Sequence, residues 1–245
     1  MTVKLAAITA ELDWSFRTTC SHDRFDLATA RAYIADRTGR SLRLMEQAAE
    51  QGADLVLGPE YFAGSELFMR GKSVCRELVE PLDGPTVTAL RALSARRGVH
   101  LAASLNLLHG GHVIQTAVLT GRDGSLAGVH LKHNSLPGDG PFKPGHEIFD
   151  LAIGKTGMLI CSDCGDSPLP ALEMGRQGVQ LLLVPGVGFA GDLWREFILV
   201  RASDQRCTVV YADNSRALIA DPRGRVLAET RQGDSLILAE TTLPA

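Results

Sequence analysis

The stretch Thr156-Gly-Met-Leu-Ile-Cys161-Ser-Asp-Cys-Gly-Asp166 decides how the chain is read. An apolar run ends on a thiol, and a polar loop follows at once. A cysteine at the C-terminal mouth of a buried strand stands where α/β enzymes carry nucleophiles. Two further apolar runs end on residues that could assist it. Ala53-Asp-Leu-Val-Leu-Gly-Pro-Glu60 delivers a carboxylate, and Val129-His-Leu-Lys132 delivers an ammonium. A carboxylate near a thiol can take its proton, and burial raises its pKa toward working pH. A fixed ammonium in a dry site can hold a developing oxyanion. Each residue also has a plainer reading. Glu60 could be a surface glutamate after a strand, Lys132 a snorkelling edge-strand lysine, and Cys161 a packing cysteine.

Working outward, apolar runs alternate with helical periods along most of the chain. Strands are expected over residues 3–9, 53–57, 99–107, 113–119, 126–131, 158–161, 179–184, 207–212, 218–220 and 226–228. Helical patterns fall at 26–51, 85–97, 170–177 and 193–205, with Gly98 as a C-cap. Gly121-Arg-Asp-Gly124 and Asp221-Pro-Arg-Gly224 read as turns. Strands recurring with helices between them predict a layered α/β architecture in one domain spanning 1–245. The polar stretch 11–38, which overlaps the start of the first helical pattern, is expected to be an insertion or lid.

Composition narrows the class. The 245 residues are 45% hydrophobic and 22% charged, enough for a sizeable core. A net charge of −3 offers no basic surface for nucleic acid or anionic membrane. No apolar stretch approaches the roughly 20 residues of a spanning helix. The N-terminal run has no secretory pattern, and five cysteines without framework spacing fit a reducing cytosol. A cytoplasmic protein is expected.

Other chemistries are weaker. Cys161 and Cys164 form a C-x-x-C, and His130 with His133 could complete a zinc site or leave a redox pair. Against this, residues three apart on a strand point to opposite faces, and no second C-x-x-C exists. No G-x-S-x-G elbow or phosphate loop is present. Cys20, Cys75 and Cys207 read as packing residues.

Taken together, the three segments resemble the nitrilase, or carbon–nitrogen hydrolase, superfamily. The glutamate motif is matched at 52–60, the lysine motif at 126–132 with Phe142-Lys-Pro-Gly145 beyond it, and the cysteine motif at 157–163. Secondary signatures agree at 178–185, Arg201-Ala202, Ala212-Asp-Asn214 and 219–224, so the resemblance runs from Val3 to about Glu229. It implies a four-layer αββα sandwich, paired into a homodimer or larger homo-oligomer. It also implies an amidase-type enzyme acting on a small amide without cofactor or metal. Glu60 would be the general base, Lys132 the oxyanion stabiliser, Cys161 the nucleophile and the Ser162 N–H an oxyanion donor.

Departures are specific to this chain. The second family carboxylate falls on Asp139, one methylene shorter than the usual glutamate. The arginines that hold a carboxylate in N-carbamoyl amino acid hydrolases are replaced by Cys164 and Gly165, which together with Phe189 and Trp194 are the expected pocket residues. The altered loops after Lys132 and Cys161 leave open a non-catalytic member that binds a ligand or partner. A zinc or redox protein built on Cys161 and Cys164 is the other alternative.

Overall fold

The computed structural model describes residues 2–16, 26–70, 73–133, 147–188 and 191–244. Two sheets stack face to face. The first has seven strands. In spatial order, six of them are β12 (Leu236–Thr242), β1 (Thr2–Ile8), β2 (Leu55–Leu57), β3 (His100–His109), β4 (His112–Thr120) and β5 (Leu126–Leu131), and a short strand Glu80–Pro81 runs along the end of β3. The second has six strands: β11 (Val226–Thr230), β10 (Ala217–Ala220), β9 (Thr208–Ala212), β8 (Leu181–Pro185), β7 (Gly154–Met158) and β6 (Ile148–Leu151). Each sheet has three adjacent parallel strands flanked by antiparallel ones, β1-β2-β3 in one and β7-β8-β9 in the other. A parallel strand covered on both faces should be apolar throughout, and Leu-Leu-Leu-Val-Pro of β8 is buried at every position.

Helices cover the outer faces, which completes the expected αββα layering. Helices α1 (Leu27–Glu50) and α2 (Pro85–Arg97) pack on the first sheet through Met45, Ala48, Val87, Leu90 and Leu93. Helices α4 (Leu169–Arg176) and α5 (Trp194–Gln205) pack on the second through Ala171, Met174, Ile198 and Ala202. A single turn, α3 (Ser162–Gly165), follows Cys161. The Asp26 carboxylate caps α1 by accepting the N–H groups of Ala28 and Thr29. Pro85 opens α2, and Gly98 closes it at φ 65°.

Between the sheets lies one apolar core. Leu5, Ala7, Leu55, Leu57, Ala102, Ala117 and Leu119 of the first sheet meet Met158, Leu181, Leu183, Val210 and Ile219 of the second. Expected elements recur with ends shifted by a few residues. Strands β6 and β12, and the two-residue strands Met69–Arg70, Ser73–Val74 and Glu80–Pro81, have no counterpart in the sequence reading. β12 pairs along the whole of β1. The stretch 11–38 is corrected in part: residues 27–38 are the first turns of α1, because buried Ala30 and Arg37 continue the stripe of Ser41, Met45 and Ala48. Residues 17–25 of that stretch lie outside the described residues. Among the described residues, no helix is long and apolar enough to cross a membrane.

Leu183 sits fully buried at the centre of β8. Leu183→Ala should lower unfolding free energy by about 2–5 kcal/mol. Loss of the Asp26 cap in Asp26→Ala should cost about 1 kcal/mol. Urea unfolding followed by circular dichroism checks both; equal small effects would contradict the packing described.

Candidate active site

Glu60, Lys132 and Cys161 come from three strand ends and two sheets, and they meet. Lys132 Nζ lies 2.5 Å from Glu60 Oε1. Glu60 is fully buried, and Cys161 is 6% exposed with its thiol facing the Glu60 carboxylate. A cleft of about 470 Å³ between α1 and residues 77–86 is lined by none of the three.

Each position follows from local backbone bonding. Beyond β2 the chain still tracks β3: Ala102 O accepts the Gly58 N–H, Pro59 O accepts that of Ser104, and Ser104 O that of Phe62. The Glu60 backbone is tied sideways. Its N–H donates to Gly186 O in the second sheet, and its carbonyl accepts from Gln115 Nε2 at 2.8 Å. Lys132 continues β5 by donating its N–H to Gln115 O. Cys161 donates its N–H to Pro185 O and then turns sharply, at φ 49° and ψ −107°. A non-glycine residue held there costs about 1–3 kcal/mol and persists only where its surroundings over-determine it. Asp163, fully buried, supplies that constraint. Its Oδ2 accepts from Ile160 N, from His133 N just past Lys132, and from His130 Nε2. The N–H of Val187, in the loop after β8, points at the Cys161 sulfur.

Burial and charge set the protonation states. Burial pushes the Glu60 carboxyl above the usual range, opposed by the Lys132 ammonium beside it. Burial pulls Lys132 down, but Glu60, Cys161 and Asp163 outweigh it and hold the ammonium charged. The Cys161 thiol is pushed up by burial and by Glu60, with Lys132 opposing. The resting arrangement is therefore an ion pair beside a protonated thiol. Such a thiol needs a base at the moment of attack, and Glu60 is placed to be one. His130 loses to burial but gains more from Asp163 and Glu147, so its imidazolium is favoured.

The remaining expected residues divide. Ser162 opens α3 next to the nucleophile, and Gly165 closes it by donating its N–H to Cys161 O. Cys164 is fully buried, its thiol pushed up to about 12 by burial with Arg201 opposing. Trp194 is core: it stacks on Tyr211 at 5.1 Å, with the Arg216 guanidinium 5.0 Å from its ring centroid. Asp139 and Phe189 lie outside the described residues. Among the described residues, no group of three or more His, Cys, Asp or Glu could hold a metal ion.

Sequence reading passed over two charged residues that organise the rim. Arg37 is fully buried and donates to the carbonyls of Ala10, Glu11 and Tyr61 and to Asn214 Oδ1. It thus joins the loop after β1, the residue after Glu60 and the β9–β10 turn. Burial pulls its pKa down to about 10. Gly64, at φ 82°, lies where a Cβ would come within 2.8 Å of Arg37 Cδ. The available signal was an arginine falling on the buried stripe of α1. Glu66 is buried as well, accepts the Asn106 N–H, and is raised to about 7 by burial, with Glu60 adding to the rise.

Comparison with known proteins agrees with this architecture. The family model for carbon-nitrogen hydrolases matches residues 29–245. The omega-amidase NIT2 of Danio rerio is 26% identical over 251 residues, covering 90% of this chain and 89% of its own. The deaminated glutathione amidase of Rattus norvegicus is 26% identical over 233 residues, with 82% and 70% covered. Among solved structures, Saccharomyces cerevisiae Nit3, a member of branch 10 of the nitrilase superfamily, superposes with a TM-score of 0.77 at 19% identity, covering 99% and 90%. An amidase from Nesterenkonia sp. gives 0.71 at 21% identity, covering 98% and 90%.

The electrostatics predict how Cys161 responds to an electrophile. Its alkylation by iodoacetamide should still rise with pH at pH 9, since the thiol is held above its ordinary value of 9.0. Glu60→Gln removes a neighbouring negative charge and leaves Lys132, so the profile should move to lower pH. A wild-type plateau below pH 8, or an unmoved profile in Glu60→Gln, would contradict the assignment.

Proposed function

We propose, because the chain belongs to the carbon–nitrogen hydrolase family, that this enzyme cleaves a small amide through a thioester on Cys161. The 2.5 Å Lys132–Glu60 contact beside the Cys161 thiol is the observation that supports it best. Glu60 takes the thiol proton as sulfur attacks the amide carbon, forming the C–S bond and moving the carbonyl pair onto oxygen. The Lys132 ammonium and the Ser162 N–H stabilise that oxyanion. When the C–N bond breaks, Glu60 returns the proton to the departing ammonia or amine. Glu60 next takes a proton from water, hydroxide adds to the thioester, and collapse releases the acid. The leaving sulfur recovers its proton from Glu60. No redox partner or metal enters these steps.

The amidase and omega-amidase relatives support amides over other C–N substrates. We further infer a homodimer formed through the α4–α5 layer. Leu169, Leu193 and Val200 are exposed there, at 61%, 60% and 50%. A reducing, cytoplasmic setting fits the described cysteines, none of which is in a disulfide.

Ammonia release measured over a panel of small aliphatic amides and ω-amides should find a substrate. Activity should fall by at least about 10³-fold in Cys161→Ala, Glu60→Gln and Lys132→Met. Activity should be lost as pH falls through the Glu60 pKa, with the kcat/KM midpoint above the 4.5 of an ordinary glutamate. Retained turnover in Cys161→Ala, or no amide turned over, would refute the proposal. In sedimentation velocity, Val200→Glu should convert a dimer to monomer; an unchanged dimer would place the interface elsewhere.

A further inference from the structure

The inner face of the first sheet changes character where the active site begins. On β3 the inward positions run Ala102, Ser104, Asn106, since Ala102 belongs to the inter-sheet core while Leu101, Ala103, Leu105 and Leu107 face the helices. Asn106 is directly opposite Gln115 on β4, and Gln115 O in turn accepts the Lys132 N–H. Directly paired residues share a face, so Asn106, Gln115 and Lys132 form an inward polar row across three strands.

Two members of this group have assigned work. Lys132 holds Glu60, and Gln115 donates to Glu60 O and Ser104 Oγ. Asn106 does not. It is 8% exposed, yet its side-chain amide makes no hydrogen bond to any described residue. Its amide atoms still reach solvent, so they are open to a ligand group that replaces that water. Asn106 lies one pleat, about 7 Å, along β3 from the Ser104 level at which Gln115 grips Glu60. That spacing suits a group on the substrate removed from the scissile carbonyl.

We propose that Asn106 is a specificity-determining residue whose amide receives an uncharged hydrogen-bonding group, such as a second amide, on the substrate's acyl portion. The inference rests on the amidase reading and refines its substrate class. Charge argues for an uncharged group. The Lys132 ammonium is already paired with Glu60, and the Glu66 carboxyl lies against the Asn106 backbone N–H. Burial raises the Glu66 carboxyl to about 7, and whatever negative charge it carries would repel a substrate carboxylate there.

Three probes of similar size separate the possibilities: succinamide, succinamate and butyramide. Wild-type kcat/KM should rank succinamide first. Asn106→Leu should lower it at least about tenfold, chiefly through KM, while leaving butyramide within about threefold. Asn106→Ser, smaller and polar, serves if the leucine variant fails to fold. Binding to Cys161→Ala protein, followed by calorimetry, decides the matter without turnover. Succinamide should bind at least about tenfold tighter than butyramide, and Asn106→Leu should abolish the difference. Equal binding of the two, preference for succinamate, or an equal loss on all three probes would overturn the role of Asn106. Binding discrimination without hydrolysis of any amide by the wild-type protein would uphold Asn106 and refute the amidase reading.

Discussion

A buried ion pair between Lys132 and Glu60 governs the structure around it. Taking a carboxylate and an ammonium out of water costs several kcal/mol each, and their attraction offsets that only with good geometry and further hydrogen bonds. The chain meets the condition by crowding polar backbone around the pair. Glu60 is bonded through its N–H to the second sheet and through its carbonyl to Gln115, and Lys132 is bonded through its N–H to Gln115. Neither main chain can shift without breaking one of these bonds, so the pair is both a stability liability and a positioning device.

The same constraint explains the elbow at Cys161. A thiol must be brought from the opposite sheet to the ion pair, and a strand running straight on would carry it past. The left-handed turn at Cys161 redirects it, with Pro185 O taking its N–H and Asp163 tying the elbow to the chain beyond Lys132. Asp163 and Arg37 play matching parts on the two sides of the site. Each is fully buried, and each binds backbone groups from separate loops. The rim is thus held by side chains whose removal would free several loops at once.

Much of this was legible in the sequence, for physical reasons. Glu60, Lys132 and Cys161 each end an apolar run, and a buried strand that stops at a polar residue marks a sheet's C-terminal edge. The layered fold followed from alternating periods, and helix ends from Gly98 and Pro85. What escaped reading depends on pairing across space. β12 shows only a weak alternation of its own and owes its place to β1, at the other end of the sequence, where Thr2 pairs with Thr242 and Ile8 with Leu236. The first turns of α1 read both as helix and as part of a polar stretch, because Arg37 and Ser41 occupy its buried stripe, where apolar residues are expected. Asn106 sits within an apolar strand, and its importance appears only once the register sets it beside Gln115 and Lys132. Trp194 misled in the other direction: its large apolar surface fits a pocket or a core equally, and packing against Tyr211 decides for the core.

The central claim, that the three converging residues form a covalent catalytic site, is tested most directly by catching the intermediate. Wild-type protein mixed with a turned-over amide, quenched in acid within milliseconds and digested, should yield one acylated peptide, the one containing Cys161. Its mass should exceed the unmodified peptide by the acyl group of the substrate used, and the adduct should disappear with neutral hydroxylamine as a thioester does. An acyl group on another residue, or steady turnover with no acylated peptide under conditions where deacylation limits the rate, would contradict the account.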